Sequence, residues 1–262
     1  MLNVITGPAR ASARRIVEHP GIDKIAFTGD TSTGKGIMRA AADTLKKITL
    51  ELGGKSPNIV LADADIDAAL RGATTGIFYG KGEVCAAGSR LLVDTIDQGR
   101  VHGRSWRRAR RRWSPAIRSI RRRATAPLAS KKQLETVQRY VEIAKQEGAT
   151  LVAGGERADI GTGKGYFFQP TVFDNVAPDA TIAREEIFGP VLATIEFADL
   201  DEAIARANDV AVRAGRRRLD PRHQEGALRG AQAAGGHRLD QHLQRLRHRR
   251  AVRRLQGERL RP

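Results

Sequence analysis

Short apolar runs and longer amphipathic ones alternate along most of this chain. Ile22–Thr28 (IDKIAFT) is short and apolar, follows a turn at Pro20 and Gly21, and reads as a buried parallel strand. A turn rich in Gly and Thr comes next. The alanines and closing lysines of GIMRAAADTLKK then predict a helix over Gly36–Lys47. Ile48–Leu52 and Pro57–Leu61 read as further strands, Asp65–Gly80 as a helix and Arg90–Val93 as a strand. Farther on, Ser130 stands at the N-cap of a helix reaching Ala149, with apolar positions at Leu134, Val137, Val141 and Ile143 and a stop at Gly148. Thr150–Ala153 follows as a strand, Gly165–Phe173 as a loop, residues 185–197 as partly strand and Asp199–Asp209 as a short helix. Strand–helix–strand alternation of this kind predicts an α/β fold built on a parallel sheet.

The alternation fails in two places, and the charge concentrates in the same two. Of the net +17, the stretch Arg100–Arg123 supplies +11 from eleven Arg without Lys or acid, and Ala211–Pro262 supplies +11 from fifteen Arg against four acids. Subtracting both leaves −5 for the remaining residues, an ordinary mildly acidic surface. A basic tract usually marks an anionic partner such as nucleic acid, or a solvated tail. These blocks exclude every Lys of the chain, hold both tryptophans (Trp106, Trp113) and show no period of 2 or 3.6. The single cysteine, Cys85, precludes an intramolecular disulfide. The opening MLNVITGPARASARR lacks the apolar core of a signal peptide, and no run of apolar residues suits a bilayer. A soluble, cytoplasmic protein without membrane association is expected.

Candidate chemistry gathers in the first half. GDTSTGKG (Gly29–Gly36) follows a strand and opens a helix, like a phosphate-binding P-loop, yet Gly36 stands where that loop needs a hydroxyl for magnesium. LELGGKSPN (Leu50–Asn58) places Glu51 at the end of an apolar run, just before two glycines, and GEVCAAGSR (Gly82–Arg90) surrounds Cys85. A thiol and a carboxylate are a sufficient minimal pair for covalent catalysis: a nucleophile, and a base for the water that releases the product. A lone cysteine is more often a small buried hydrophobe, and a strand-end Glu a solvated charge, so the flanking residues must decide.

They do so by resemblance. LELGGKSPN, GEVCAAGSR, FTGDTSTGK (Phe27–Lys35) and AREEIFGPV (Ala183–Val191) resemble signature segments of the aldehyde dehydrogenase superfamily. The resemblance implies a Rossmann-type cofactor domain beside a parallel-sheet catalytic domain. Residues 1–52 would be the C-terminal part of the first, and residues 53–210 the second. It implies oxidation of a small-molecule aldehyde to its acid with NAD or NADP. Cys85 would attack the carbonyl as thiolate, hydride would pass to the nicotinamide, and Glu51 would activate the water that hydrolyses the thioester. Thr28, Gly29, Asp30, Gly34 and Leu52 would lie along the cofactor, Glu186 would hold the nicotinamide ribose, and Phe188 would pack beside the nicotinamide. The family pattern is FTGSTxxGK, so Asp30 replaces a serine and should weaken phosphate binding. No metal site is implied. Family members are homo-oligomers.

The resemblance covers Asp23–Thr95 and Pro127–Asp209 and lapses in both Arg blocks. It also begins late, without the family's first cofactor-fold strands and its oxyanion-stabilising asparagine. Arg, Ala, Gly and Pro without Lys is what shifted GC-rich codons would produce. Codons can be chosen for Leu239–Arg261 that read WINTYNVFDTAAPFGGYKASGYG one base later, which resembles the family's C-terminal segment. Val212–Gly226 can likewise yield YGLAAGVWTRDIKK, and Ala116–Ala126, one base earlier, GDPFDPATRNG. The expectation is a frame-disrupted chain over 100–126 and 211–262, inactive as written. The alternative is a basic nucleic-acid-binding protein using the Arg tracts, although no specific nucleic-acid partner is expected.

Overall fold

The computed structural model describes residues 2–7, 9–61, 64–94, 126–158, 161 and 164–210. Both arginine blocks lie outside the described residues.

The chain enters through helix α1 (Ala9–Glu18), then strand β1 (Lys24–Gly29), helix α2 (Thr31–Ala42) and strand β2 (Lys47–Leu52). β1 and β2 pair in parallel, with Thr28 opposite Glu51 and Gly29 opposite Leu52. The second part of the chain follows: β3 (Pro57–Val60), α3 (Ile66–Phe78), β4 (Arg90–Asp94), α4 (Lys131–Gln146), β5 (Thr150–Ala153), β6 (Thr171–Asp174), α5 (Thr181–Arg184), β7 (Val191–Phe197) and α6 (Leu200–Asn208). Its strands form a second sheet in the order β3-β4-β7-β6-β5. Every pairing in it is parallel except the edge pair β5–β6. The two sheets divide between Leu52 and Pro57. No helix among the described residues is long and apolar enough to cross a membrane.

The second sheet carries the core on both faces, which explains why its strands read as continuous apolar runs. Successive side chains of a strand point to opposite faces. Leu91 and Val93 of β4 and Leu192 of β7 therefore pack with Leu70, Ala73, Ile77 and Phe78 of α3. Leu92, with Val191, Ala193, Ile195 and Phe197, packs on the other side against Leu134, Val137, Tyr140, Val141 and Ala144 of α4. Each fully buried side chain of this size contributes about 1.5–3 kcal/mol. The amphipathic spacing read from Ser130 onward is realised in α4. Ser130 Oγ accepts from the Gln133 N–H at 3.1 Å.

Three boundaries depart from the sequence reading. α2 starts at Thr31 because the Asp30 side chain caps it, and it ends at Ala42 before Leu45 turns left-handed (φ 53°). The closing lysines therefore do not end a helix; Lys46 instead donates from Nζ to the carbonyls of His19 (2.6 Å) and Ile22 (2.8 Å), tying α2 to the β1 entry. The segment Gly165–Phe173, read as loop, contributes the start of β6, whose residues are all buried. α1 is not among the elements the sequence reading gives, although its residues are amphipathic at the helical period.

Candidate active site

The turn bearing Cys85 is shaped before the cysteine is reached. After α3, Gly80, Lys81 and Gly82 take φ values of 58°, 57° and 73°, three consecutive left-handed residues that reverse the chain. Glycine suits two of them, since it meets no steric penalty there. At Gly82 a Cβ would also lie 2.2 Å from the Gly189 carbonyl oxygen. The turn closes through Ala87 N–H to Val84 O (2.9 Å) and leaves Cys85 free and exposed. Three anchors hold it. Asn58 Nδ2 donates to Gly88 O (3.1 Å), Gly88 N–H donates to Gly76 O (3.1 Å), and Glu83 accepts from the Ala129 N–H (2.9 Å) while pairing with Lys81 at 3.1 Å.

Glu51 is exposed at the end of β2, opposite Thr28 at the end of β1. Parallel pairing thus sets it beside the start of the FTGDTSTGK turn. Leu52 lies over Gly34, where a Cβ would fall 2.6 Å from Leu52 Cδ2. Thr28 and Gly29 are exposed at the strand end. Asp30 turns back into its own helix. Its Oδ1 accepts from Ser32 N–H (2.9 Å), Ser32 Oγ (2.6 Å) and Thr33 N–H (3.0 Å), and its Oδ2 accepts from Thr33 Oγ1 (2.6 Å). These bonds hold the carboxyl far below the usual carboxylate range, with the Ser32 and Thr33 hydroxyls the largest causes. The free N–H groups of a helix N-terminus are what bind an anion; here an internal carboxylate takes two of them.

Glu186 reaches across to the two glycines after Glu51. A Cβ on Gly53 would sit 1.7 Å from Glu186 Oε2. Burial raises its pKa above the ordinary value, while the Gly54 N–H and Lys55 act against that and Asp30 adds to it. Two residues on, Phe188 is half-exposed and left-handed (φ 54°). Gln133 Nε2 clamps that strained turn, donating to Ile187 O (3.0 Å) and Phe188 O (2.8 Å).

The fold therefore gathers the segments that the sequence singled out. Gly82 meets Gly189, Gly53 meets Glu186, and Asn58 holds Gly88. Sequence reasoning passed over several contributors. Arg90 is buried, and its guanidinium donates to Lys55 O (3.0 Å), Arg206 O (2.7 Å) and Ala207 O (2.8 Å). It links the Cys85 turn, the glycine turn and the end of α6. Burial lowers its pKa to about 10, with Asp209 opposing. Lys55 and Asn58 lay within LELGGKSPN and Arg90 closed GEVCAAGSR, so motif membership was the signal available. Gln133 had none.

Comparison with known proteins gives this convergence a name. The aldehyde dehydrogenase family profile matches residues 1–215. The chain belongs to the aldehyde dehydrogenase family. It is 46% identical over 211 residues to a betaine aldehyde dehydrogenase of Rhizobium leguminosarum, covering 79% of this chain and 42% of that one. Human retinal dehydrogenase 2 is 44% identical over 213 residues, 80% of this chain and 40% of that one. Among solved structures, an NAD+ complex of a Bacillus cereus aldehyde dehydrogenase superposes with a TM-score of 0.67 at 44% identity, covering 76% of this chain and 40% of that one. Betaine aldehyde dehydrogenase from Staphylococcus aureus, in complex with NAD+, gives a TM-score of 0.71 at 35% identity, with 79% and 41% coverage. The chain thus spans about two fifths of the length of the relatives it matches.

Proposed function

We propose that this chain carries the acyl-transfer machinery of an aldehyde dehydrogenase, with Cys85 as nucleophile and Glu51 as the base of the deacylating water. The observation that carries the reading is the convergence itself: three glycines whose Cβ positions are filled by Gly189, Glu186 and Asn58 pull three separate motifs into one place. At Gly82 the approach is to backbone and excludes a side chain, whereas at Gly53 and Gly88 the neighbours are the ends of the Glu186 and Asn58 side chains.

The substrate class is a small-molecule aldehyde. Cys85 Sγ, as thiolate, adds to the carbonyl carbon, and the carbonyl oxygen takes the negative charge. Glu51 then removes a proton from the water that attacks the thioester carbon, and the Cys85 thiolate leaves with the acid as product. NAD or NADP, when bound, supplies the hydride acceptor. At its ribose end the residues fit, since Glu186 Oε1 is a buried acceptor without a partner. At its phosphate end Thr28, Gly29 and Gly34 flank the turn and Leu52 packs over Gly34, but Asp30 fills the helix N-terminus with a negative charge. Cofactor binding by the 262-residue chain is therefore expected to be weakened.

An aryl ester tests the site without the redox step, because it delivers an acyl group directly to a thiol. A stoichiometric burst of phenolate with the acyl group mapped to Cys85 is expected, absent in Cys85→Ala. In Glu51→Gln the burst should remain and the acyl-enzyme should persist. Acylation elsewhere, or a Glu51→Gln variant that deacylates normally, would refute the assignment. NADH formation from aldehyde by the chain as written, lost in Cys85→Ala, would show that Asp30 does not block the cofactor.

The same reading treats 100–126 and 211–262 as displaced reading frame, with small insertions or deletions near residues 96–100, 124–127 and 209–212. Coding DNA whose bases at Leu239–Arg261 cannot yield WINTYN one position later would exclude it.

A further inference from the structure

Helix α4 and its C-cap carry polar side chains at seven-residue intervals: Gln133, Tyr140 and Glu147. Seven residues make almost two turns, so the three lie on one stripe of the helix, about 10.5 Å apart along its axis. Each is hydrogen-bonded to the segment 181–188, in reverse order along the chain. Glu147 accepts from the Thr181 N–H (2.9 Å) and from Thr181 Oγ1 (2.5 Å). The Tyr140 hydroxyl donates to Glu185 Oε2 at 2.7 Å. Gln133 Nε2 donates to Ile187 O (3.0 Å) and Phe188 O (2.8 Å). The segment therefore runs antiparallel to α4 and is pinned to it at three heights. Between these rungs Ile182, Ala183 and Ile187 share a buried cluster with Val137 and Val141 of the helix.

Residues 185–190 belong to no helix or strand, so no ladder of their own fixes their backbone. Their side chains alternate. Glu185 meets Tyr140 and Ile187 is buried in the α4 cluster, whereas Glu186 lies against Gly53 and Phe188 is half-exposed. Phe188 is also left-handed (φ 54°), a conformation unfavourable for a residue with a Cβ. The carbonyls of Ile187 and Phe188 belong to the two peptide planes on either side of the Phe188 Cα. One side-chain amide thus restrains both backbone angles of the strained residue.

We propose that α4 is a splint for the segment 181–188 and that Gln133 is its positioning residue: it locks Phe188 in the left-handed conformation, and the rungs at Tyr140 and Glu147 turn Glu186 and Phe188 away from the helix, toward the cofactor. The last three words rest on the cofactor roles given above to Glu186 and Phe188; the splint does not.

Chymotryptic cleavage of the full chain after Phe188, mapped by mass spectrometry, tests this, because cleavage of a folded segment follows the equilibrium for its local opening. Cleavage after Phe173, fully buried in β6, is the internal control for global unfolding. Gln133→Leu keeps the bulk and removes the donors, so cleavage after Phe188 should accelerate by about tenfold, the loss of two neutral hydrogen bonds, with cleavage after Phe173 unchanged. Should Gln133→Leu not fold, Tyr140→Phe carries the comparison; it removes the middle rung and should accelerate the same cleavage by about fivefold. An unchanged rate after Phe188, or an equal acceleration after Phe173, would overturn the proposal in either variant. Nicotinamide riboside, which has no phosphate for Asp30 to repel, separates the two readings in the same assay. It should slow wild-type cleavage after Phe188 and not after Phe173; no slowing would sink the cofactor role of Phe188 and leave the splint standing.

Discussion

Arg90→Met removes a side chain that joins three parts of the site and keeps nearly the same volume. It deletes three hydrogen bonds from a charged donor, to Lys55 O, Arg206 O and Ala207 O, and leaves those carbonyls beside an apolar chain. Each such bond contributes about 1.5–3 kcal/mol, but the three share one guanidinium and do not add. The buried Arg also carries a desolvation penalty, visible in its lowered pKa, which its removal relieves. The net loss should be about 3–5 kcal/mol, a large share of the roughly 5–15 kcal/mol that holds a domain folded. Arg90→Lys, which keeps the charge but has a single head to share among three acceptors, should lose about half of that. Equilibrium urea unfolding at fixed pH measures both, and hydrogen exchange in the last turn of α6 should accelerate before that of β4. A change under about 1 kcal/mol in Arg90→Met would refute the reasoning. It would mean that α6 and the glycine turn are held by packing alone.

Asp30→Ser keeps a helix cap and removes the charge, so stability should hold while Asp30→Ala loses about 1 kcal/mol. Calorimetric titration with inorganic pyrophosphate should show tighter binding to Asp30→Ser, by about fivefold per phosphate charge at about 4 Å in water and less as salt rises; equal binding would refute the blocking role. Gly82→Ala should destabilise by more than about 2 kcal/mol, because the new methyl meets the Gly189 carbonyl from a left-handed backbone. Gly36→Ala, in α2 with nothing within 4 Å of its Cβ position, should instead stabilise by up to about 1 kcal/mol; thermal unfolding of both checks the contrast. Lys55 has a folded pKa of about 7 against 10.5, so over that interval the unfolded chain holds the extra proton and stability should rise with pH. Tyr140, raised from 10.0 to about 12 chiefly by burial, reverses the trend above pH 10, where the unfolded phenol ionises first. A rise that persists unchanged in Lys55→Met would contradict this.

Much of this molecule was legible in its residues, and the reason is local. The strands at Ile48–Leu52 and Arg90–Val93 and the Ser130-capped helix follow from periodicity and capping, which act within a few residues. So did the candidate chemistry, because Glu51, Cys85 and Glu186 each stand inside a segment whose neighbours are as distinctive as the residue itself. The start of α2 escaped because Asp30 was weighed as a charge near a ligand, while its strongest partners are its own Ser32 and Thr33.

What only the tertiary structure decided is long-range. Nothing between residues 53 and 189 in the sequence says that Gly53 lies against Glu186, or that Gly82 must lack a side chain to admit Gly189. Gln133 and Arg90 act on backbone carbonyls, which every residue carries, so their targets leave no mark on the chain. The edge pairing of β5 with β6 and the burial of Lys55 belong to the same class. Local pattern chooses an element; which backbone groups and charges remain to be satisfied is known only once the elements have packed.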